Sequence, residues 1–419
     1  MHEIAERSCD PCAHATRDCA TTWVTALPFL VLVGALGIEG RVMHASKRPR
    51  REPDQPIRWG IMGAGMISHD FVSALKALSS EEGSIVAVGA RDLASAKRFA
   101  EELGIERAHE GYEALAADPE VDVVYVGTVA QTHAACARLA LAAGKPCLVE
   151  KPLTLSAEET AALTAEARAA GLFLMEGMWT RCFPSVRRAR ELLAGGAIGT
   201  VRTVAADFGW PASTGPDGRY ETGEHARLLN ASSGGVSMDV AMYPIAHVLL
   251  AAGAAMPTRV VATGTVQRAA GGEGFVDWSM GAALSGFPQL PGLTATVLCT
   301  LEGSTPEEVV YTGTKGTLRV HRPAHAPPRL TLSIAASREE AAEQVLDFDV
   351  ADKAGRSYHY PGSEGFVFEA RAVHAALRAG LLEPPEWTHE ESVTTQAIVD
   401  RLRAAVIEDA GARKEAEAQ

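Results

Sequence analysis

The passage from Ile57 to Leu78 restricts this 419-residue chain more than any other. A short apolar run, Ile57–Gly63, leads into Gly63-Ala64-Gly65-Met66-Ile67-Ser68. From Asp70 to Leu78, Phe71, Leu75 and Leu78 then recur at helical spacing. A strand that turns through glycines into a helix leaves the first helical N–H groups free, and with the helix dipole they favour a phosphate group. Ser68 stands where the full Gly-x-Gly-x-x-Gly pattern has its third glycine, so the turn alone would carry little. Its surroundings strengthen it. Ser84–Ala90 reads as a second strand, Leu93–Leu103 as a helix closed by Gly104, and Val121–Val126 as a third strand. Ala134–Ala143 reads as another helix, and Pro146–Val149 as a further strand. Strands alternating with helices of this length predict a parallel, doubly wound Rossmann sheet that binds a dinucleotide. Gly63, Gly65, Met66 and Ile67 are then candidate cofactor contacts.

The second strand ends in Ala90-Arg91-Asp92. An acid at this place binds a ribose 2′-hydroxyl, whereas an arginine suits a 2′-phosphate. Arg91 comes first after the strand and its planar fork can hold a phosphate through two bonds. NADP is therefore favoured over NAD, with Asp92 as ribose ligand the alternative.

Beyond about residue 180 the pattern changes to longer alternating segments: Val201–Phe208, Thr258–Gln267, Gly292–Leu301, Glu308–Tyr311, Thr317–Val320 and Leu330–Ile334. A strong helical stretch, Val236–Leu250, interrupts them, and two more close the chain near Glu364–Ala379 and Glu390–Val406. The expectation is an α/β protein with a Rossmann domain over 57–178. An α+β domain over 179–419 follows, built on a large, mostly antiparallel open sheet.

Residues 1–56 stand apart. They hold seven Lys/Arg and seven Asp/Glu, so the net charge of −13 belongs entirely to the rest of the chain. That charge argues against nucleic acid as a partner. Trp23–Ile38 is a 16-residue apolar run broken by Pro28, short of the roughly 20 residues a spanning helix wants. Residues 1–22 hold two Arg against four acids, unlike a secretory leader. The segment is read as a non-core extension, disordered or preceding a start at Met43. Cys9, Cys12, His14 and Cys19 resemble a metal cluster, but no second paired ligand set follows, and no metal is assigned. Seven scattered cysteines do not form a secreted disulfide framework, so a cytoplasmic location is expected.

At Val149-Glu150-Lys151-Pro152 the sequence resembles the Gfo/Idh/MocA oxidoreductases. Matching blocks follow in order: Arg58–Met62, Tyr125–Thr128, Leu172–Arg181, Gly313–Thr317 and Glu364–Glu369. Within the family they are most similar to the dihydrodiol and NADP-dependent D-xylose dehydrogenases. The resemblance implies that Lys151 sits beside the nicotinamide and acts on a substrate hydroxyl, with Thr128 and Glu150 also at the cofactor. A free lysine has a pKa near 10.4, and acting as a base near neutrality requires a fall of roughly three pH units. Burial beside a cationic ring acts in that direction.

Ser233-Gly234-Gly235 opens the Val236–Leu250 stretch, and Asp239 and Tyr243 lie four residues apart, on one helical face. The resemblance assigns proton transfer to Tyr243 with Lys151, and orientation of that pair to Asp239. A phenol is a poor base at pH 7 unless a cation such as Lys151 lowers its pKa. His247, one turn on, is expected to pack against the sheet. By the same resemblance Trp179, Arg181 and Phe208 border a pocket suited to a ring-shaped substrate, a sugar or a cyclic diol. Trp210–Asn230 reads as a Gly/Pro-rich loop and a candidate lid. The expected activity is hydride transfer between the nicotinamide and a secondary alcohol, in a homodimer. The alternatives are a non-catalytic nucleotide-sensing protein on the same fold and, resting on Trp23–Ile38 alone, an exported or membrane-tethered enzyme.

Overall fold

The computed structural model describes residues 55–212, 224–272, 274–335, 341–349 and 355–417. The cysteine cluster and apolar run of the first 56 residues, and the middle of the expected loop, lie outside the described residues.

The first half alternates as read. It contains β1 (Ile57–Met62), α1 (Met66–Leu75), β2 (Gly83–Ala90), α2 (Leu93–Leu103), β3 (Arg107–Glu110), α3 (Tyr112–Ala117) and β4 (Val123–Val126). It continues through α4 (His133–Ala142), β5 (Cys147–Glu150), α5 (Ala157–Ala170) and β6 (Leu174–Gly177). The six strands are parallel in the order β3-β2-β1-β4-β5-β6, so the chain reverses direction across the sheet between β1 and β4. Ligands of such sheets bind outside the carboxyl ends of the strands at that reversal. Strand β3 (Arg-Ala-His-Glu) escaped the sequence reading because it is a short polar edge strand.

The second half contains α6 (Pro184–Ala194), β7 (Val201–Gly209), a π-helical turn at Ser237–Ala241, and α7 (Met242–Ala252). Then come β8 (Arg259–Arg268), β9 (Phe275–Phe287), β10 (Leu290–Thr300), β11 (Val309–Gly313), β12 (Gly316–Val320), β13 (Arg329–Ala335) and β14 (Ala341–Asp347). Helices α8 (Phe366–Arg378) and α9 (His389–Glu417) close the chain. The sheet order is β14-β13-β12-β11-β7-β10-β9-β8, antiparallel except for the β7–β10 pair. Strand β9 was missed because Gly281, Gly286 and its small residues dilute the β-branched signal.

Strand β10 shows how this sheet is used. Leu293, Ala295, Val297 and Cys299 are buried, while Thr294, Thr296 and Leu298 alternate with them on an exposed face. His247 lies buried on the covered side, as expected, its ring nitrogens within hydrogen-bond distance of the Tyr311 hydroxyl and the Ala324 carbonyl oxygen. The two halves share a core. Trp59 of β1 is fully buried, meets Phe71 edge-on at 5.2 Å, and donates its indole N–H to His374 of α8 at 2.9 Å. Among the described residues no helix is long and apolar enough to cross a membrane.

Candidate active site

The cofactor half of the site is built mainly from backbone. Gly63, with φ at +107°, sits where a Cβ would lie 2.7 Å from the carbonyl oxygen of Gly127. Only glycine lets the ends of β1 and β4 come this close. Ser68, in the place of the third glycine, donates its hydroxyl to the same Gly127 oxygen at 3.2 Å, so it ties the helix to the strand end. Gly65 is the N-cap of α1 and makes no side-chain cap, and the first turn carries no acid. A Cβ at Gly65 would meet nothing within 4 Å. Uncapped amides above open space, with Met66 and Ile67 opening the helix, fit a pyrophosphate.

Arg91 is exposed at the end of β2. The Asp92 carboxylate instead caps α2, accepting from the Ser95 amide at 2.7 Å and the Ser95 hydroxyl at 2.9 Å. Those bonds hold its carboxyl below the usual range. Thr128 follows β4, and its carbonyl oxygen and that of Pro152 both face the ring nitrogens of buried His133, at 3.1 and 2.8 Å. His133 thus links the turns after β4 and β5.

Glu150 ends β5 almost fully buried. It accepts from the Tyr125 hydroxyl at 2.9 Å and from the Lys151 amide at 3.1 Å. Burial pushes its carboxyl up to about 7, although Lys151 opposes the shift. Glu369 of α8 is wholly buried with neither carboxyl oxygen hydrogen-bonded, and burial, with Glu150 nearby, pushes it well above the ordinary value.

The Lys151 ammonium donates to the backbone carbonyl of Asp239 at 2.7 Å and lies 5.2 Å from the centre of the Tyr243 ring. The carbonyl belongs to the π-helical turn, whose bonds span five residues. Five residues after Asp239 stands Pro244, which has no N–H to give. Asp239 was expected to orient the Lys151–Tyr243 pair, but its side chain is engaged elsewhere. Its carboxylate accepts from Arg227 at 2.6 Å and from the Trp210 indole at 3.3 Å, so both flanks of the 210–230 loop meet on it. Burial would raise this carboxyl, but Arg227 and Lys151 outweigh it and hold it below the usual range.

Tyr243 also differs from expectation. Burial, with Glu150 nearby, pushes its phenol well above 10, so in the ligand-free protein it keeps its proton. Its oxygen accepts from the Trp179 indole at 3.1 Å. Trp179 and Phe208 do gather at this place. Phe208 lies 5.4 Å from Tyr243, ring centre to ring centre, and stacks on His325 at 5.1 Å. His325, which the sequence reading passed over, is also 5.6 Å from Trp179 and 5.7 Å from Tyr243. Its only sequence signal is a histidine inside a Pro-rich turn.

Arg181 is placed differently from the expected pocket position. Its guanidinium is buried against Glu391, donates to the Ala246 carbonyl at 2.8 Å and lies over the Trp387 ring. Among the described residues one group, His69, Asp70 and His359, is close enough to hold a metal ion. Asp70 is already committed there, accepting from the amides of His359 and Tyr360 and from the Ser363 hydroxyl.

Comparison with known proteins agrees with this geometry. Residues 57–178 match the family described as "Oxidoreductase family, NAD-binding Rossmann fold", and residues 186–319 match the GFO/IDH/MocA C-terminal domain. The chain belongs to the Gfo/Idh/MocA oxidoreductase family. As a member it is an NAD(P)-dependent dehydrogenase. Among curated Gfo/Idh/MocA relatives, trans-1,2-dihydrobenzene-1,2-diol dehydrogenase of Sus scrofa is 35% identical over 352 residues, covering 84% of this chain and 97% of that protein. The enzyme of the same name from Homo sapiens is 33% identical over 351 residues, with the same coverage. KijD10, a 3-ketoreductase from Actinomadura kijaniata solved with NADP and TDP-benzene, superposes with a TM-score of 0.66. It is 29% identical and covers 84% of this chain and 98% of its own. Levoglucosan dehydrogenase, solved with NADH and levoglucosan, has a TM-score of 0.69 at 19% identity over 85% of this chain and 98% of its own, a likeness of fold.

Proposed function

We propose that this dehydrogenase moves a hydride between NADP and a secondary alcohol of a sugar or cyclic diol. The observation that carries the reading is the meeting of the Lys151 ammonium and the Tyr243 phenol at the carboxyl edge of β5, beside the aromatic wall of Trp179 and Phe208. When bound, the nicotinamide supplies the hydride acceptor or donor. Tyr243, protonated by virtue of its burial, donates a hydrogen bond to the substrate oxygen. In oxidation the neutral amine form of Lys151 takes the hydroxyl proton and becomes the ammonium, and in reduction the ammonium returns it. The Asp239 carbonyl holds the ammonium in place. Arg91 favours a 2′-phosphate and hence NADP, since Asp92 is occupied as a helix cap.

The exposed face of the eight-stranded sheet presents Val261, Leu298, Ala205 and Thr296 to solvent, which suits a homodimer through that face. A monomeric mass by light scattering would contradict it. The free buried cysteines Cys136, Cys147, Cys182 and Cys299 suit a cytoplasmic enzyme.

The experiment that tests the reading is the rise of NADPH absorbance with NADP and a panel of D-xylose, D-glucose, myo-inositol and trans-dihydrobenzenediol, with NAD in parallel. Turnover of one ring substrate with a preference for NADP is expected. Tight NADPH binding with no turnover of any polyol would favour a nucleotide-sensing protein instead.

A further inference from the structure

His325 is an imidazole set among the rings of Trp179, Phe208 and Tyr243, and its surroundings hold it there. Its Nδ1 is hydrogen-bonded to the Glu307 carboxylate, and its face is stacked on Phe208 at an interplanar angle of 12°. Glu307 is, among the described residues, the one non-glycine residue at positive φ, at +56°. That conformation is disfavoured for a side-chain-bearing residue and persists where its surroundings enforce it. Here they do so by named bonds. The Asp207 carboxylate accepts from the Glu307 amide at 2.6 Å and from the Glu308 amide at 3.3 Å, and the Ala324 amide donates to the Glu307 carbonyl at 3.1 Å. Adjacent residues of β7, Asp207 and Phe208, thus fix the carboxylate and the imidazole together. The Thr180 hydroxyl donates to the His325 carbonyl at 2.6 Å, which ties the same turn to the segment carrying Trp179.

A carboxylate at Nδ1 keeps the proton on that nitrogen, so the neutral ring presents an acceptor at Nε2. Among the described residues Nε2 makes no hydrogen bond; it lies 3.9 Å from where a Cβ on Gly362 would be, close to the edge of Trp179. The ring is only 5.7 Å, centre to centre, from Tyr243.

We propose that His325, oriented by Glu307, is a specificity residue: its Nε2 accepts a hydrogen bond from a second hydroxyl, on the carbon next to the one that reacts at Tyr243. This rests on the dehydrogenase reading above and names its substrate class as vicinal diols in a ring. A monohydric ring alcohol would leave the imidazole nitrogen buried without a partner, and sites built around a hydroxyl reject analogues that lack it.

The test compares trans-cyclohexane-1,2-diol with cyclohexanol on the NADP-loaded natural chain and on His325→Phe and Glu307→Gln. Binding is read from Trp179-sensitive tryptophan fluorescence, and turnover from NADPH absorbance. The natural chain is expected to bind the diol roughly ten- to a hundredfold more tightly than cyclohexanol. His325→Phe should lose most of that ratio, chiefly through weaker binding of the diol. Glu307→Gln should lose part of it, and keeps the question answerable if the phenylalanine variant fails to fold. Turnover should change chiefly in KM, with kcat nearly constant. An unchanged ratio in both variants, or no diol preference in the natural chain, overturns the proposal. Selective diol binding without turnover would instead sink the dehydrogenase reading and leave His325 as a diol-binding residue.

Discussion

The two halves of the site are made from different materials. On the cofactor side, the close approach of Gly63 to Gly127 and the uncapped start of α1 are backbone features, carried by short glycine-bearing turns at the ends of β1 and β4. On the proposed substrate side, Trp179, Phe208, Tyr243 and His325 are side chains from four separate segments that the tertiary fold brings together. A backbone site binds a part common to many ligands, whereas a side-chain site can be rewritten residue by residue. The contrast accounts for a family that shares its dinucleotide half while its named members act on different compounds.

Substitutions can break this division or sharpen it. Lys151→Ala carries the largest expected effect. Turnover should fall by roughly a thousandfold or more while NADPH binding, followed by fluorescence titration, stays within a few-fold. Loss of both would make Lys151 part of the cofactor half.

Arg181→Met comes next. It leaves Glu391 buried without its partner and should cost about 3–5 kcal/mol of stability in denaturant unfolding, with KM unchanged in the folded fraction. A raised KM with normal stability would return Arg181 to the pocket.

Glu150→Gln tests the seam between the halves. The folded protein favours protonated Glu150, so stability from this group is complete below the ordinary pKa of 4.5. It is lost as pH rises through about 7. The variant should therefore gain on the natural chain by up to about 3 kcal/mol at pH 8, and the two should converge near pH 4. A pH-independent difference would show that Glu150 ionises normally.

Arg91→Ala is expected to have the smallest effect. It should weaken NADP by about ten- to a hundredfold and leave NAD nearly unchanged. Equal weakening of both would remove the 2′-phosphate from Arg91.

The strands and helices of the first half were legible because each announces itself locally. β5 ends at Glu150 beside the Glu-Lys-Pro block, and α2 starts at Asp92 and stops at Gly104. Asp92 itself shows the limit of that reading. As a sequence letter it was a candidate ribose ligand; in the structure it is an N-cap, because Ser95 stands three residues on. Asp239 and Tyr243 were rightly placed near Lys151, yet the bond to Lys151 comes from a carbonyl, which no side-chain pattern encodes. His325 was invisible because neither Glu307, 18 positions earlier, nor Phe208 is its neighbour in the chain.

By itself, then, the sequence determined the alternating fold, the glycine-bearing turn from β1 into α1 and the family, since these depend on periodicity and on short contiguous blocks. The tertiary structure decided the rest. It buried Arg181 in an ion pair, turned the Asp239 carboxylate toward Arg227 and Trp210, kept the Tyr243 proton in place, and set His325 beside Tyr243. The physical reason is that burial and partner geometry set the charge and direction of a side chain. Both depend on residues brought together by folding rather than on those adjacent in the chain.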